Sequence, residues 1–371
     1  MKKHASLREK YLCKPRILPI TFREDMKVAD LVESFSCSGA FNAGRLAEAC
    51  KLFLKMVEED TTIALTLSGA MTPAGLGGAV ISMMERGLID FVISTGANLY
   101  HDLHFAIGLP IHQGDFRVDD SELFKAGIER IYDIFITDEV LLETDAFLQQ
   151  VIKDAGTDRV LSTAEFHYML GKAILEKCPY PEHSLVAHAA RYDIPIFTSS
   201  PGDSSIGMNL AAKKLTQKNG NITIDSDLDV LQTTAIVYNS KKNGVLAIGG
   251  GSPKNFYMQT QPTLSQIFGF DSKGHDYFVQ ITSDSPQWGG LSGATPQEAI
   301  SWGKMCEKKT QNHVVVYCDA TIAMPILTAY ILSSKQKRNP KRLYTKLPEF
   351  VSTMKKHVEN LQKNNPLSPK M

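Results

Sequence analysis

Five short apolar runs in this chain each end at a cluster of small polar residues. Ile63-Ala-Leu-Thr-Leu67 runs into Ser68-Gly69-Ala70, and Phe91-Val-Ile93 into Ser94-Thr95-Gly96-Ala97. Ile196-Phe197 leads to Thr198-Ser-Ser-Pro-Gly202-Asp203, Val245-Leu-Ala-Ile248 to Gly249-Gly250-Gly251, and Val314-Val-Val-Tyr317 to Cys318-Asp319-Ala320. Continuous apolar runs of strand length mark buried parallel strands, because helices cover both faces of such a sheet. Ligands there sit beyond the carboxyl ends of the strands. Small residues at those ends let backbone N–H groups approach anionic oxygens, and glycine tolerates the dihedrals this needs. The pattern predicts one sheet with one end built for an extended anionic ligand, a dinucleotide being the first expectation.

Between these runs the periodicity is helical. Leu46, Ala47, Cys50, Phe53, Leu54 and Val57 fall on one face of a helix over 44–59. Further helices are predicted near 74–86, 101–107, 120–130, 144–155, 164–177, 206–217, 296–307, 321–332 and 347–361, with Asp119, Asp120 and Ser121 as capping candidates, and 184–191 leads into the strand near 194–197. Segments 131–137 and 277–282 read as strands, and 235–238 as another short apolar run. Strands alternating with helices predict an α/β fold: a mostly parallel sheet with helices on both faces. The expected organisation is an N-terminal arm over 1–43 with one helical patch near 28–35, a main domain over 44–335, and a C-terminal helix and polar tail over 336–371.

Bulk composition narrows the function classes. With 371 residues the chain has room for one large α/β domain. Its 40 basic and 40 acidic residues cancel, which gives no electrostatic argument for nucleic acid or an anionic membrane. The charge-free stretch 61–84 contains Pro73 and four glycines, the composition of a strand, turn and helix start rather than of a membrane span. Six cysteines stand singly with no C-x-x-C pair, and His101, His104 and His112 do not form a ligand set, so no metal is expected. The N-terminus lacks an apolar secretion segment, and a cytoplasmic location is the expectation.

Individual motifs carry different weight. Gly75-Leu-Gly77-Gly78 is a weak dinucleotide fingerprint, set back from its strand by Pro73. Gly249-Gly250-Gly251 directly follows an apolar strand, and ligand approach explains it better than a tight turn does. Asp203 and Asp319 follow strand ends, where a carboxylate can bind a ribose hydroxyl or cap a helix. In Ser292-Gly-Ala-Thr-Pro-Gln-Glu-Ala-Ile-Ser-Trp302-Gly303-Lys304 the lysine is placed late in a helix beside Trp302 and Met305. A nucleophilic lysine must be neutral, which apolar surroundings promote. The pattern alone favours a solvated lysine at the favourable end of a helix.

Taken together, the motifs resemble the deoxyhypusine synthase family over roughly residues 25–335. Glu298-Ala-Ile-Ser-Trp302-Gly303-Lys304, Ile248-Gly249-Gly250-Gly251 with Lys254, and Tyr317-Cys-Asp319-Ala320 with Pro325 carry the resemblance. Ser38-Gly39-Ala40-Phe41-Asn-Ala-Gly44-Arg45, Ser94-Thr95-Gly96-Ala97, Ile194-Pro195-Ile196-Phe197 and Ser292-Gly293-Ala294 agree in order and spacing. The resemblance implies a Rossmann-like, NAD-binding homotetramer that oxidises spermidine to an imine. The aminobutyl group is held on a lysine and then passed to a lysine of a translation factor. Lys304 occupies the position of the enzyme lysine. By the same resemblance Ser68, Thr95, Gly96, Ala97, Asp203, Gly249, Gly250, Gly251, Asp319 and Ala320 line the NAD site.

The substrate half departs from the family pattern. The histidine after the glycine run is here Asn255, the acid after Ser-(Leu/Ile)-Gly is Met208, and two acids before Ser-Gly-Ala are Trp288 and Leu291. The acidic pair before Asp102 is Tyr100-His101. A polyammonium ion in a desolvated pocket needs paired carboxylates. The expected activity is therefore NAD-dependent transfer of an alkylamine group through an imine on Lys304, from a small amine to a protein or amine acceptor, with donor or acceptor different from the family's. His101, Asn255, Trp288, Ser292 and Trp302 are the expected substrate contacts. A plain NAD-dependent amine oxidoreductase and a silent NAD-binding homologue are the alternatives.

Overall fold

Aliphatic runs with no polar face have to be covered on both sides, and six of them are. In the computed structural model, which describes residues 8–156, 159–216 and 222–364, the strands are β1 (Thr62–Leu67), β2 (Phe91–Ser94), β3 (His112–Gln113), β4 (Ile128–Ile131), β5 (Ile134–Thr137), β6 (Arg159–Leu161), β7 (Ile196–Thr198), β8 (Ile222–Ile224), β9 (Asn243–Ile248), β10 (Tyr277–Thr282) and β11 (His313–Tyr317). The main sheet has the order β11-β10-β9-β1-β2-β7, parallel throughout. All five runs that end in small residues belong to it.

The helices up to the middle of the chain are α1 (Val28–Ser38), α2 (Phe41–Glu58), α3 (Gly77–Glu85), α4 (Gly96–Ile107), α5 (Asp120–Lys125), α6 (Asp138–Asp154) and α7 (Thr163–Lys177). They continue as α8 (Leu185–Arg191), α9 (Ser205–Thr216), α10 (Ser226–Tyr238), α11 (Gly251–Pro262), α12 (Pro296–Ser301), α13 (Ala320–Ser333) and α14 (Leu347–Asn364). Alternate strand residues enter two cores. Ile63, Leu65, Leu67, Leu246 and Ile248 join a core shared with α2, α3 and α13, while Ala64, Val245 and Ala247 join one shared with α10, α11 and α14. That division is the period-two geometry of a strand buried on both faces. The α/β fold expected from the sequence is the one observed.

Three segments differ from expectation. The helix expected over 120–130 stops at Lys125, because Gly127 takes a left-handed φ of 65° and turns the chain. The strand expected over 131–137 is instead an antiparallel hairpin, β4 to β5, reversed at Tyr132, with β3 paired on its other side. The helix expected over 296–307 ends at Ser301, so Trp302-Gly303-Lys304 is loop. The apolar run 235–238 forms the end of α10.

A strap over 334–346 returns the chain to the strand starts. Arg338 donates to the Gly87 carbonyl (2.9 Å), the Thr61 carbonyl (2.6 Å) and the buried Asp90 carboxylate (2.9 Å). The same Asp90 accepts from the Ile63 N–H at 2.8 Å. Tyr344 stacks on Tyr168, and α14 then packs along α10. No helix among the described residues is long and apolar enough to cross a membrane.

Candidate functional site

The crevice follows from strand order. From β1 the chain moves through β2 towards β7, and from β9 it moves through β10 to β11 on the opposite side. Loops leaving β1 and β9 therefore part between them, and open parallel sheets bind ligands at such a point. Pairing of Leu67 with Ser94 and Ile248, and of Ile281 with Ile248, brings Ser68, Thr95 and Gly249 to one rim. Backbone bonds extend the ladders into that rim. The Ser68 N–H donates to Ile248 (3.1 Å), Thr95 to Leu67 (3.1 Å), Gly249 to Ile281 (2.8 Å) and Cys318 to Thr282 (3.1 Å).

Three helices begin there: α4 at Gly96-Ala97, α11 at Gly251, and α13 at Ala320 behind its cap Asp319. Their first N–H groups have no intrahelical acceptors and attract anions. Gly249 and Gly251 hold φ values of 75° and 55°, and Gly250 has no space for a side chain because a Cβ would meet the Ser292 backbone. Gly96 is likewise closed, by Ser204. Asp203 lies in the same loop after β7, and the Ser252 hydroxyl draws that loop towards α11 by donating to Ser199 at 2.8 Å. Asp319 uses one carboxylate oxygen to accept from the Thr321 N–H (2.7 Å) and hydroxyl, which holds its pKa below the usual range. The ten residues expected to hold NAD thus stand on the loops and helix starts at one end of the sheet.

Beside the glycine rim is a cavity of about 170 Å³. Lys254, Asn255 and Met258 of α11, Phe278 of β10, Leu291, Ala294 and Thr295 of the following loop, Glu298 and Ala299 of α12, and Trp302 and Lys304 line it. Gln280 couples the cavity to the rim, its amide donating to the carbonyls of Gly249 and Ser292, both at 2.8 Å. Lys304 is fixed by its backbone: its N–H donates to Ala299 (3.0 Å) and its carbonyl accepts from His275 (2.9 Å). The ε-amine donates to Asn255 Oδ1 at 3.5 Å and stands 5.6 Å from the Trp302 ring centroid. Burial lowers the Lys304 pKa, opposed by the charge of Glu298. Lys254 is 4% exposed and donates to the carbonyls of Ser292 (3.2 Å) and Ala294 (2.8 Å).

The expected substrate contacts divide. Asn255 and Trp302 share the cavity with Lys304. Ser292 backs it, its hydroxyl accepting from the Gly251 N–H at 2.9 Å. Trp288 is 67% exposed on a single-turn helix outside the lining. His101 lies on α4, its Nδ1 3.0 Å from His104 Nε2, and does not reach the cavity within this chain. Sequence reasoning overlooked Gln280, Glu298 and the burial of Lys254 as parts of the site. For Gln280 a signal existed: an amide inside the apolar strand Tyr277-Phe-Val-Gln-Ile-Thr282 needs partners.

The deoxyhypusine synthase family model matches residues 30–331. A deoxyhypusine synthase-like protein of Nostoc punctiforme is 45% identical over 350 residues, covering 92% of this chain and 89% of its own length. "Probable deoxyhypusine synthase 1" of Archaeoglobus fulgidus is 40% identical over 317 residues, covering 85% and 98%. Among solved structures, a "putative deoxyhypusine synthase" from Entamoeba histolytica superposes with a TM-score of 0.57 at 16% identity, covering 87% of this chain and 99% of that one. That likeness is one of fold.

Proposed function

Because the chain belongs to the deoxyhypusine synthase family, we propose that it is an NAD-dependent transferase that carries an alkylamine group on Lys304. The observation that carries this reading is the fixed, partly buried Lys304 amine in a cavity joined to a glycine rim. The rim fits a dinucleotide: the positive-φ glycines, the filled space beside Gly250 and the three helix starts suit close approach of a diphosphate. NAD, when bound, supplies a reversible hydride acceptor.

Lys304 does the covalent work. Its neutral ε-amine adds to the imine carbon of the oxidised donor, the bond to the donor's departing amine breaks, and an acceptor amine later displaces Lys304 in the same way. Trp302 walls the site, and Asn255 orients the ε-amine. Glu298 is the carboxylate that faces it. Lys254 and Lys304 already oppose that charge, and Trp288, Leu291 and Met208 are exposed apolar side chains at the positions of family acids. These features favour a donor with fewer charges than spermidine, or an acceptor other than the translation-factor lysine. Assembly as a homotetramer and a cytoplasmic location belong to the same proposal.

The test is intact-mass measurement after borohydride trapping, with NAD and a panel of amines, beside Lys304→Ala. An amine-derived adduct on Lys304, absent from the variant, is the expected result, and its mass names the donor. NAD binding without any adduct would replace this function by plain amine oxidation, where NADH accumulates, or by a silent NAD-binding role, where it does not.

A further inference from the structure

We propose that Lys254 is the proton carrier of the Lys304 site. When the Lys304 amine adds to an imine carbon, Lys254 takes the proton released from that nitrogen and delivers it to the departing amine. With the imine protonated in both donor and product, one C–N bond forms, one breaks, and one proton passes from the entering to the leaving nitrogen without net oxidation. This assignment rests on the imine-transfer reading above.

Lys254 occupies an unusual place for a cation. It stands in the first turn of α11, where the helix dipole opposes positive charge. It is almost wholly buried, and its two hydrogen-bond acceptors, Ser292 and Ala294, are carbonyls rather than carboxylates. Those carbonyls accept from an ammonium or a neutral amine alike. With two positions on nitrogen held, the third is left to the cavity, as a proton or as a lone pair. The groups facing it are Glu298 from α12, Lys304 after that helix, and Asp284 after β10. Burial and the charge of Lys304 push Lys254 down to about 8, against the opposing pull of Glu298 and Asp284. A proton carrier works best when it titrates near the operating pH. Asn255, the adjacent cavity residue, has an amide that cannot exchange protons in this way.

The experiment is the single-turnover rate of Lys304 adduct formation between pH 6 and 10, in NAD-loaded wild type, Lys254→Arg, Lys254→Met and Glu298→Gln. Arginine keeps the charge but stays protonated over this range. The wild-type rate should rise through a limb near pH 8, with a further rise at higher pH from Lys304 itself. Both Lys254 variants should lose the lower limb and slow by roughly a hundredfold or more, the scale of lost acid–base catalysis. NAD affinity and melting temperature, measured alongside, report that the rim and fold are intact. A Lys254→Arg protein that keeps the limb and the rate would reduce Lys254 to a structural tie. Loss of the limb only in Glu298→Gln would transfer the role to Glu298. A wild type that forms no adduct with any amine would overturn the transfer function, and this role with it.

Discussion

At the scale of single residues, the glycine run shows that three identical neighbours are needed for two different reasons. Gly249 and Gly251 have left-handed φ values, which a Cβ would strain. Gly250, at a φ of −171°, is outside the left-handed region, and what it requires is space beside Ser292. Gly250→Ala should therefore push Ser292 away. The displacement would disturb the Gly251 N–H bond to Ser292 Oγ and the Ser292 carbonyl that holds Lys254. Overpacking of this kind costs about 1–3 kcal/mol. The expected outcome is a fall in NAD affinity of about tenfold or more, a loss of about 1.4 kcal/mol in binding, with a modest drop in unfolding midpoint. Calorimetric titration with NAD checks it, and unchanged affinity would remove Gly250 from the cofactor rim.

At the scale of elements, the strap over 334–346 pairs with Asp60, Asp90 and Asp193, and of these contacts the Arg338–Asp90 pair is the buried one. Asp90 is wholly buried, and burial raises its pKa against the pull of Arg338 and Lys341. Removing Arg338 would leave that carboxylate unpaired inside the protein, a loss of about 3–5 kcal/mol. Arg338→Met should thus unfold at markedly lower urea, and adding Asp90→Asn should recover part of the difference, because the two sites share one interaction. Strictly additive losses would show that the strap is held by other contacts. This clasp was not legible in the sequence, where 336–371 reads as a C-terminal helix and polar tail. The sheet was legible, because runs such as Val314–Tyr317 carry their burial in composition alone. The hairpin over 128–137 was not: Tyr132 reverses the chain at positive φ without the Gly or Asn that announces such a turn. The loop after α12 was missed for the opposite reason, since Gly303 was present but read as helix interior. Helix starts were easier, as Asp119 and Asp319 both cap where expected. In the site, Lys304 could be named by resemblance, but the burial of Lys254 depends on the loop 291–295 folding over it, and no local pattern encodes that.

At the scale of the whole molecule, buried titratable groups set a direction for pH dependence. His104, His167 and His275 are buried and neutral, burial holding them to about 3, 4 and 3. In the unfolded chain each binds a proton as pH falls through about 6.5. Their contribution to stability is therefore complete above that pH and is lost as pH falls towards the native values. Asp102 and Asp229 run the other way: burial raises them to about 6 and about 7, so the native state binds their protons first and gains on acidification. Three groups with the larger displacements outweigh two, and the urea midpoint should fall between pH 6.5 and 5. A midpoint that rises over that interval would mean the carboxylates dominate.

The strand order also bears on how the chain is made. β1 lies at the centre of the sheet, with β2 on one side and β9 on the other. The first partner follows within a few tens of residues, but Asn243, which pairs with Thr62, is synthesised about 180 residues later. At translation speeds of about 5–20 residues per second, one edge of a strand that is wholly buried in the finished fold waits roughly 10–35 seconds on the ribosome before its neighbour exists. During that interval the half-sheet of β1, β2 and β7 offers an open, sticky edge. Production of this protein should consequently depend on chaperones that shield nascent chains, and on the pace of translation between β7 and β9.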